Sequence, residues 1–268
     1  MPDIGNHITV LNTVDSSNNY AMQQVHAGMA VHGDVWFAME QTAGKGQRGK
    51  VWNGAPGENI LMSLTLETGK LGIAQQFRLS AAVAVAVWNF FSFHAGATTS
   101  IKWPNDLYWG DSKAGGILIE NVIGEPSTVD RPCLTADNAD NKALATSSTW
   151  KWSVVGIGIN INQNVFPEFL PNPISLSLIT HQKYEMMELV KELCHCLQQQ
   201  WELLINGYWE TIYAAYNHHL YKKGHPVRLR KKNVVMPCTI RGVGHDGKLL
   251  IEEDDTVGFD FGEVNWEL

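Results

Sequence analysis

Apolar and polar positions recur along this chain with two different periods, and the period changes where glycine and proline cluster. Residues 8–11 read as a short strand, and Asp15-Ser16-Ser17-Asn18-Asn19 then offers oxygens to cap a helix over residues 20–26. Residues 35–40 and 60–66 read as buried strands on either side of a glycine-rich loop. Residues 75–93 are rich in Ala, Val, Leu and Phe and contain no Gly or Pro, which predicts a helix buried on most of its surface. Residues 100–103 lead into a turn at Pro104-Asn105-Asp106, a hairpin arm at 107–109 and an apolar strand at 116–122, with 152–162 as that strand's neighbour. The polar stretch 126–149 reads as a long surface excursion that carries no chemistry. Residues 184–208 and 210–219 read as helices. Short runs at 227–229, 238–243, 248–252 and 255–261, separated by glycine turns, predict a small β-barrel.

Strands and helices mix without a regular βαβ alternation, so an α+β fold with helices on one face of a sheet is expected. At 268 residues, one large domain over 1–222 and a small one over 223–268 are expected. A hydrophobic share of 44% with 18% charged residues is ordinary for a chain that buries a core. The longest apolar run, 81–88, falls well short of the ~20 residues that cross a bilayer, so no membrane partner is expected. The first ten residues lack the basic start and apolar core of a secretion signal, which points to the cytoplasm. Cys133, Cys194, Cys196 and Cys238 form no CxxC pair and read as reduced thiols, with no metal site among them. The net charge of −7 disfavours nucleic acid as a main partner. Two basic clusters stand out: Lys45, Arg48 and Lys50, and Arg228, Arg230, Lys231 and Lys232.

Candidate chemistry gathers in three segments. Gly44-Lys45-Gly46-Gln47-Arg48-Gly49-Lys50 spells GxGxxG, but the 51–57 stretch that follows, with Gly54, Pro56 and Gly57, cannot continue as the helix a dinucleotide loop requires. It also fits GxxxxGK, but Val51 stands where a P-loop needs Ser or Thr. What remains is either a solvated turn or a glycine loop whose cations cover an anionic, phosphate-bearing intermediate. Lys102-Trp103-Pro104-Asn105-Asp106 places a cation, an indole, an amide and a carboxylate at one turn, and Lys113 precedes Gly115-Gly116. Lys113 fits an exposed hairpin lysine or a ligand-facing one with backbone room beside it; Asp106 fits a turn cap or a site carboxylate. Gly156-Ile157-Gly158-Ile159-Asn160-Ile161-Asn162 is a strand in which glycines mark either the approach of a ligand or the packing of a helix.

Taken together and in this order, GKGQRGK with Trp52, KWPNDLYW with KAGGILIE, and VVGIGININ resemble the biotin–protein ligase family over residues 8–162, and more loosely through the C-terminal strands. The resemblance implies a class II aminoacyl-tRNA synthetase-like mixed sheet with a C-terminal SH3-like barrel. It implies that Ser16, Ser17 and Asn18 lie near the biotin ring, with Ser17 where Thr is more usual. Gln41, Gly44, Lys45, Gly46, Gln47, Lys113 and Gly116 complete the biotin side; Arg48, Lys50, Trp52, Asn105, Asp106 and Asn160 fall on the ATP side. Lys113, Arg48 and Asp106 are the implied catalytic groups. Lys45 and Gln47 stand where some members carry Arg, which removes bidentate phosphate contacts there but leaves Lys45 a point charge.

The implied reaction is ATP-dependent: biotin and ATP give biotinyl-adenylate, and the biotin passes to a lysine of a biotin carboxyl carrier domain. Magnesium is expected to accompany the pyrophosphate, held mainly by phosphates and water. The rival reading is a lipoate or other acyl-acid protein ligase using the same adenylation chemistry. A biotin-responsive DNA-binding repressor would need an N-terminal helix-turn-helix, and the catalytic pattern begins by residue 8, so no DNA partner is expected. A monomer or weak homodimer is expected.

Overall fold

The computed structural model describes residues 1–124, 149–252 and 256–267. Most of the 126–149 stretch, Cys133 and the start of the last expected strand lie outside them. Seven strands make one sheet: β1 (Ile8–Val14), β2 (Val35–Gln41), β3 (Asn59–Glu67), β4 (Thr99–Lys102), β5 (Asp106–Trp109), β6 (Ser112–Gly124) and β7 (Thr149–Asn160). Their order is β1-β2-β3-β7-β6-β5-β4. β1 and β2 run parallel and the other pairs antiparallel, so the sheet is mixed, as α+β requires.

On β3, Ile60, Met62, Leu64 and Leu66 join the main core, whereas Asn59, Leu61, Ser63 and Thr65 alternate toward the opposite side. The core is closed by α2 (Gln76–Ala95), which packs against α4 (Met186–Ile205) and α5 (Trp209–His218), with the short α3 (Leu176–Thr180) beside it. The expectation of helices on one face needs correction. α1 (Ser17–His26) lies on the other face, where Ala21 packs on Trp36 and Val154. It also starts before the expected 20–26. Ser16 is its N-cap residue without a side-chain capping bond, and Ser17 and Asn18, read as caps, are buried in its first turn.

The C-terminal strands β8 (Pro226–Lys231), β9 (Val234–Val243), β10 (Leu249–Glu252), β11 (Thr256–Phe259) and β12 (Asn265–Trp266) form an antiparallel sheet in the order β11-β10-β9-β8-β12. Among the described residues this sheet is open: its edge strands β11 and β12 do not pair with each other, so the expected barrel is not closed by hydrogen bonds there. A tight seam joins it to the rest. Trp103 Nε1 donates to Gly247 O at 2.9 Å and Tyr213 Oη donates to Val243 O at 2.8 Å, and ahead of this sheet Ile101 exchanges backbone hydrogen bonds with residues 219 and 221 in a single bridge.

Candidate active site

The site lies on the α1 face of the large sheet, and its floor is made by absent side chains. Along β7, Val155, Ile157 and Ile159 point into the core, so Gly156, Gly158 and Asn160 point to the other face. A Cβ at position 156 would overlap the Asn18 amide, and one at 158 would lie 2.6 Å from the Trp52 indole. The helix-packing reading of this strand holds at Gly156, which admits helix α1, whereas Gly158 admits the Trp52 ring from the glycine loop. Gly116 on β6 pairs with Gly158 and faces the same indole.

Beside this floor stands an ion pair. Lys113 Nζ is 2.6 Å from Asp106 Oδ1, both side chains partly exposed. A bulge between Leu107 and Tyr108 shifts the register of β5 on β6, so Asp106 lies opposite Gly116 while Lys113 lies opposite Tyr108. The ammonium also sits 5.8 Å from the Trp52 ring centroid. The backbone of Lys113 is fixed from outside the sheet: its N–H donates to Asn172 O at 2.8 Å, and its carbonyl accepts from Ile174 N at 2.9 Å. Asn160 secures that contact, donating from Nδ2 to Ile174 O at 3.1 Å and to Lys113 O at 3.5 Å. Asn105 does similar work on β6, donating to Ile117 O at 2.6 Å and accepting from Ile117 N at its own carbonyl.

On the other side of the floor, toward α1, a polar chain runs inward. Gln41 Oε1 accepts from Ser17 N at 2.7 Å and from Ser17 Oγ at 3.1 Å; Ser17 Oγ meets Ser63 Oγ at 2.8 Å; Ser63 Oγ donates to Asn18 Oδ1 at 2.5 Å. Asn18 Nδ2 then donates to Glu120 Oε2 at 2.9 Å, and Lys45 Nζ stands 3.9 Å from Glu120 Oε1. Ser16 is buried at the head of this chain. Ser63 and Glu120 were not singled out from the sequence. The signal for Ser63 was available: it is a hydroxyl in the middle of an apolar strand, at a position alternating away from the core-facing residues.

The glycine loop closes on itself. Lys45 bridges Val51, Gly46 N donates to Lys50 O at 2.7 Å, and Trp52 N donates to Gly44 O at 2.9 Å, so no helix follows, in keeping with rejection of the Rossmann and P-loop readings. Gln47 reaches the β6 backbone, Nε2 lying 3.5 Å from Ile117 O, and its buried Oε1 has no hydrogen-bond partner among the described residues. Arg48 is not gathered with Lys113. It adopts a left-handed backbone at φ 57°, lies over the Phe261 ring at 4.9 Å and donates to Gly262 O at 3.3 Å. Lys50 is exposed. Among the described residues no three His, Cys, Asp or Glu side chains stand close enough to hold a metal ion, and none of the helices is long and apolar enough to cross a membrane.

A glycine floor that seats the Trp52 indole, one lysine–carboxylate pair and an inward polar chain thus lie side by side on one face of the sheet. The sequence model of the biotin/lipoate A/B protein ligase family matches residues 10–130. The bifunctional ligase/repressor BirA of Bacillus subtilis is 26% identical over 257 residues, covering 95% of this chain and 72% of that protein. Over residues 10–130 the chain is similar to this family. A biotin–[acetyl-CoA-carboxylase] ligase of Paracoccus denitrificans is 35% identical over 122 residues, covering 44% of this chain and 48% of that one. A biotin protein ligase from Aquifex aeolicus, solved with biotin and ATP, superposes with a TM-score of 0.76 over 98% of this chain and 99% of its own at 20% identity, which shows the shared fold.

Proposed function

We propose that the chain is an ATP-dependent biotin–protein ligase. The observation that carries this is the Lys113–Asp106 pair at 2.6 Å, beside the Trp52 indole seated on Gly116 and Gly158 and flanked by the Gln41–Ser17–Ser63–Asn18 chain. That chain alternates donors and acceptors, which suits the fused ureido ring of biotin, a group with two N–H donors and one carbonyl acceptor. The ring end would lie there and the carboxylate would reach Lys113.

In the first step a biotin carboxylate oxygen attacks the α-phosphorus of ATP, a P–O bond forms, and pyrophosphate leaves. Two anions must meet, so the ammonium of Lys113 lowers the barrier where charge accumulates. The loop cations, Lys45 and Lys50 among them, add a diffuse positive field, and Trp52 would cover the intermediate from water. Among the described residues no group of three carboxylate, His or Cys side chains could cage magnesium, and Asp106 is paired with Lys113; the ion would come bound to the nucleotide's phosphates. In the second step the neutral amine of an acceptor lysine attacks the acyl carbon, an amide bond forms, and AMP leaves. In this reading Asp106 takes up the approaching ammonium's proton or orients the amine. The acceptor is a biotin carboxyl carrier domain. Residues 1–222 would carry the chemistry, and 223–268 would support the loop through Arg48.

The test is pyrophosphate release from ATP with biotin, followed by transfer of labelled biotin to a carrier domain. ATP-dependent labelling is the expected result. Release with lipoate or another acid and none with biotin would assign the chain to the other branch of that family.

A further inference from the structure

The KWPND turn holds a cation that the chemistry above leaves unused. Lys102 ends β4 and is only 6% exposed. Its Nζ donates to Tyr108 Oη at 3.0 Å and lies 4.4 Å from the Tyr108 ring centroid, 5.2 Å from Trp266 and 5.7 Å from Tyr221. One of these rings, Trp266, comes from the C-terminal sheet, so the box is complete only when the two sheets are docked. Among the described residues no carboxylate pairs with this ammonium. Aromatic faces return only part of what a buried cation loses in leaving water. Burial accordingly pushes its pKa down to about 8, with Lys113 and Lys50 pushing the same way and Asp106 and Asp111 opposing. A methionine of similar length would fill the box without that penalty, and a charge kept at the expense of stability is the mark of a field in use.

The field has an evident target. In the β4–β5 hairpin Lys102 pairs with Asp106, and Asp106 holds Lys113. The carboxylate cancels much of the charge that Lys113 should present to two converging anions. We propose that Lys102 is a positioning cation for adenylation: caged behind Asp106, it offsets that carboxylate so that Lys113 meets the α-phosphate and the biotin carboxylate with its charge undiminished. This rests on the ligase reading above.

The experiment compares Lys102→Met and Lys102→Arg with the natural chain in pyrophosphate release and thermal unfolding. Lys102→Met lowers the adenylation rate about tenfold, the change produced by ~1.4 kcal/mol of charge stabilisation, while its Tm stays level or rises. Lys102→Arg restores most of the rate. The charged groups facing Lys102 are Asp106, Asp111, Lys113 and Lys50, with the phenols of Tyr108 and Tyr221. The Lys222 hydrogen bond holds the Asp111 carboxyl below its usual range, and burial raises both phenols. The natural chain therefore loses rate as pH rises through about 8 and Lys102 gives up its proton, and Lys102→Arg holds its rate beyond that point. A Lys102→Met enzyme at full rate, or one that loses rate and Tm together without rescue by Arg, overturns the proposal. A natural chain that releases no pyrophosphate with biotin overturns the ligase reading first, and this role with it.

Discussion

At the residue scale the site turns on a charge and on missing methyl groups. Lys113→Met removes the cation where two anions meet and leaves Asp106 without its partner, so adenylation should fall by at least ~100-fold, as expected for loss of a preorganised charge. Steady-state pyrophosphate release reads this directly; a fall below tenfold would place the chemistry elsewhere. Gly158→Ala puts a Cβ 2.6 Å from the Trp52 ring, and should displace the indole and cost about 1–3 kcal/mol of overpacking. Gly69→Ala, with nothing within 4 Å of the new Cβ, should leave both Tm and rate unchanged. The sequence showed Lys113, Asp106, Gly116 and Trp52 as candidates, and these four stand together. Ser63 and Glu120 escaped because a lone hydroxyl in an apolar strand and a carboxylate at a strand's far end acquire meaning only when Asn18 lies between them. Arg48 carried the right charge but faces Phe261, since a long side chain's direction is set by a backbone turn that spelling does not reveal.

At the scale of elements, period predicted type well and orientation poorly. The alternation on β3 and β7 identified buried strands, and the long Ala/Val/Leu run gave α2 within two residues. α1 was placed on the wrong face because its buried side chains include Ser17 and Asn18, polar groups that no hydrophobic pattern counts as core. α3 and β12 were missed because five and two residues are too short to show a period. The end of β7 has a further consequence. Asn160 was read as a nucleotide contact from its place in GIGININ, yet its amide ties residue 174 to the carbonyl of Lys113. Asn160→Ala should therefore loosen Lys113 and lower kcat more than it raises KM for ATP. Asn160→Asp, which lacks the Nδ2 donor, should behave the same way. A rise in KM for ATP with kcat intact would instead mark a direct nucleotide contact.

At the scale of the molecule the two sheets work as one body through a seam that carries Lys102 on one side and Arg48 on the other. The C-terminal strands were legible from their glycine turns, but a sheet whose edge strands do not pair among the described residues cannot be told from a closed barrel by spacing alone. The register of docking was illegible too, because it depends on buried amides paired across a sequence gap. Asn217 is the tightest of these: its Oδ1 accepts from Val243 N at 2.8 Å and its Nδ2 donates to Val243 O at 3.1 Å, satisfying both backbone groups of one β9 residue from α5. Removing that amide leaves a buried N–H unpaired, a loss of about 1–3 kcal/mol. In a chain this long each kcal/mol moves Tm by ~2–4 °C. Asn217→Ala should thus lower Tm by several degrees in calorimetry, while adenylation measured well below the transition stays near normal, since Asn217 touches none of the reacting groups. If the rate falls as steeply as the Tm, the seam does more than hold the sheets together, and the box around Lys102 is the first place its loosening should be felt.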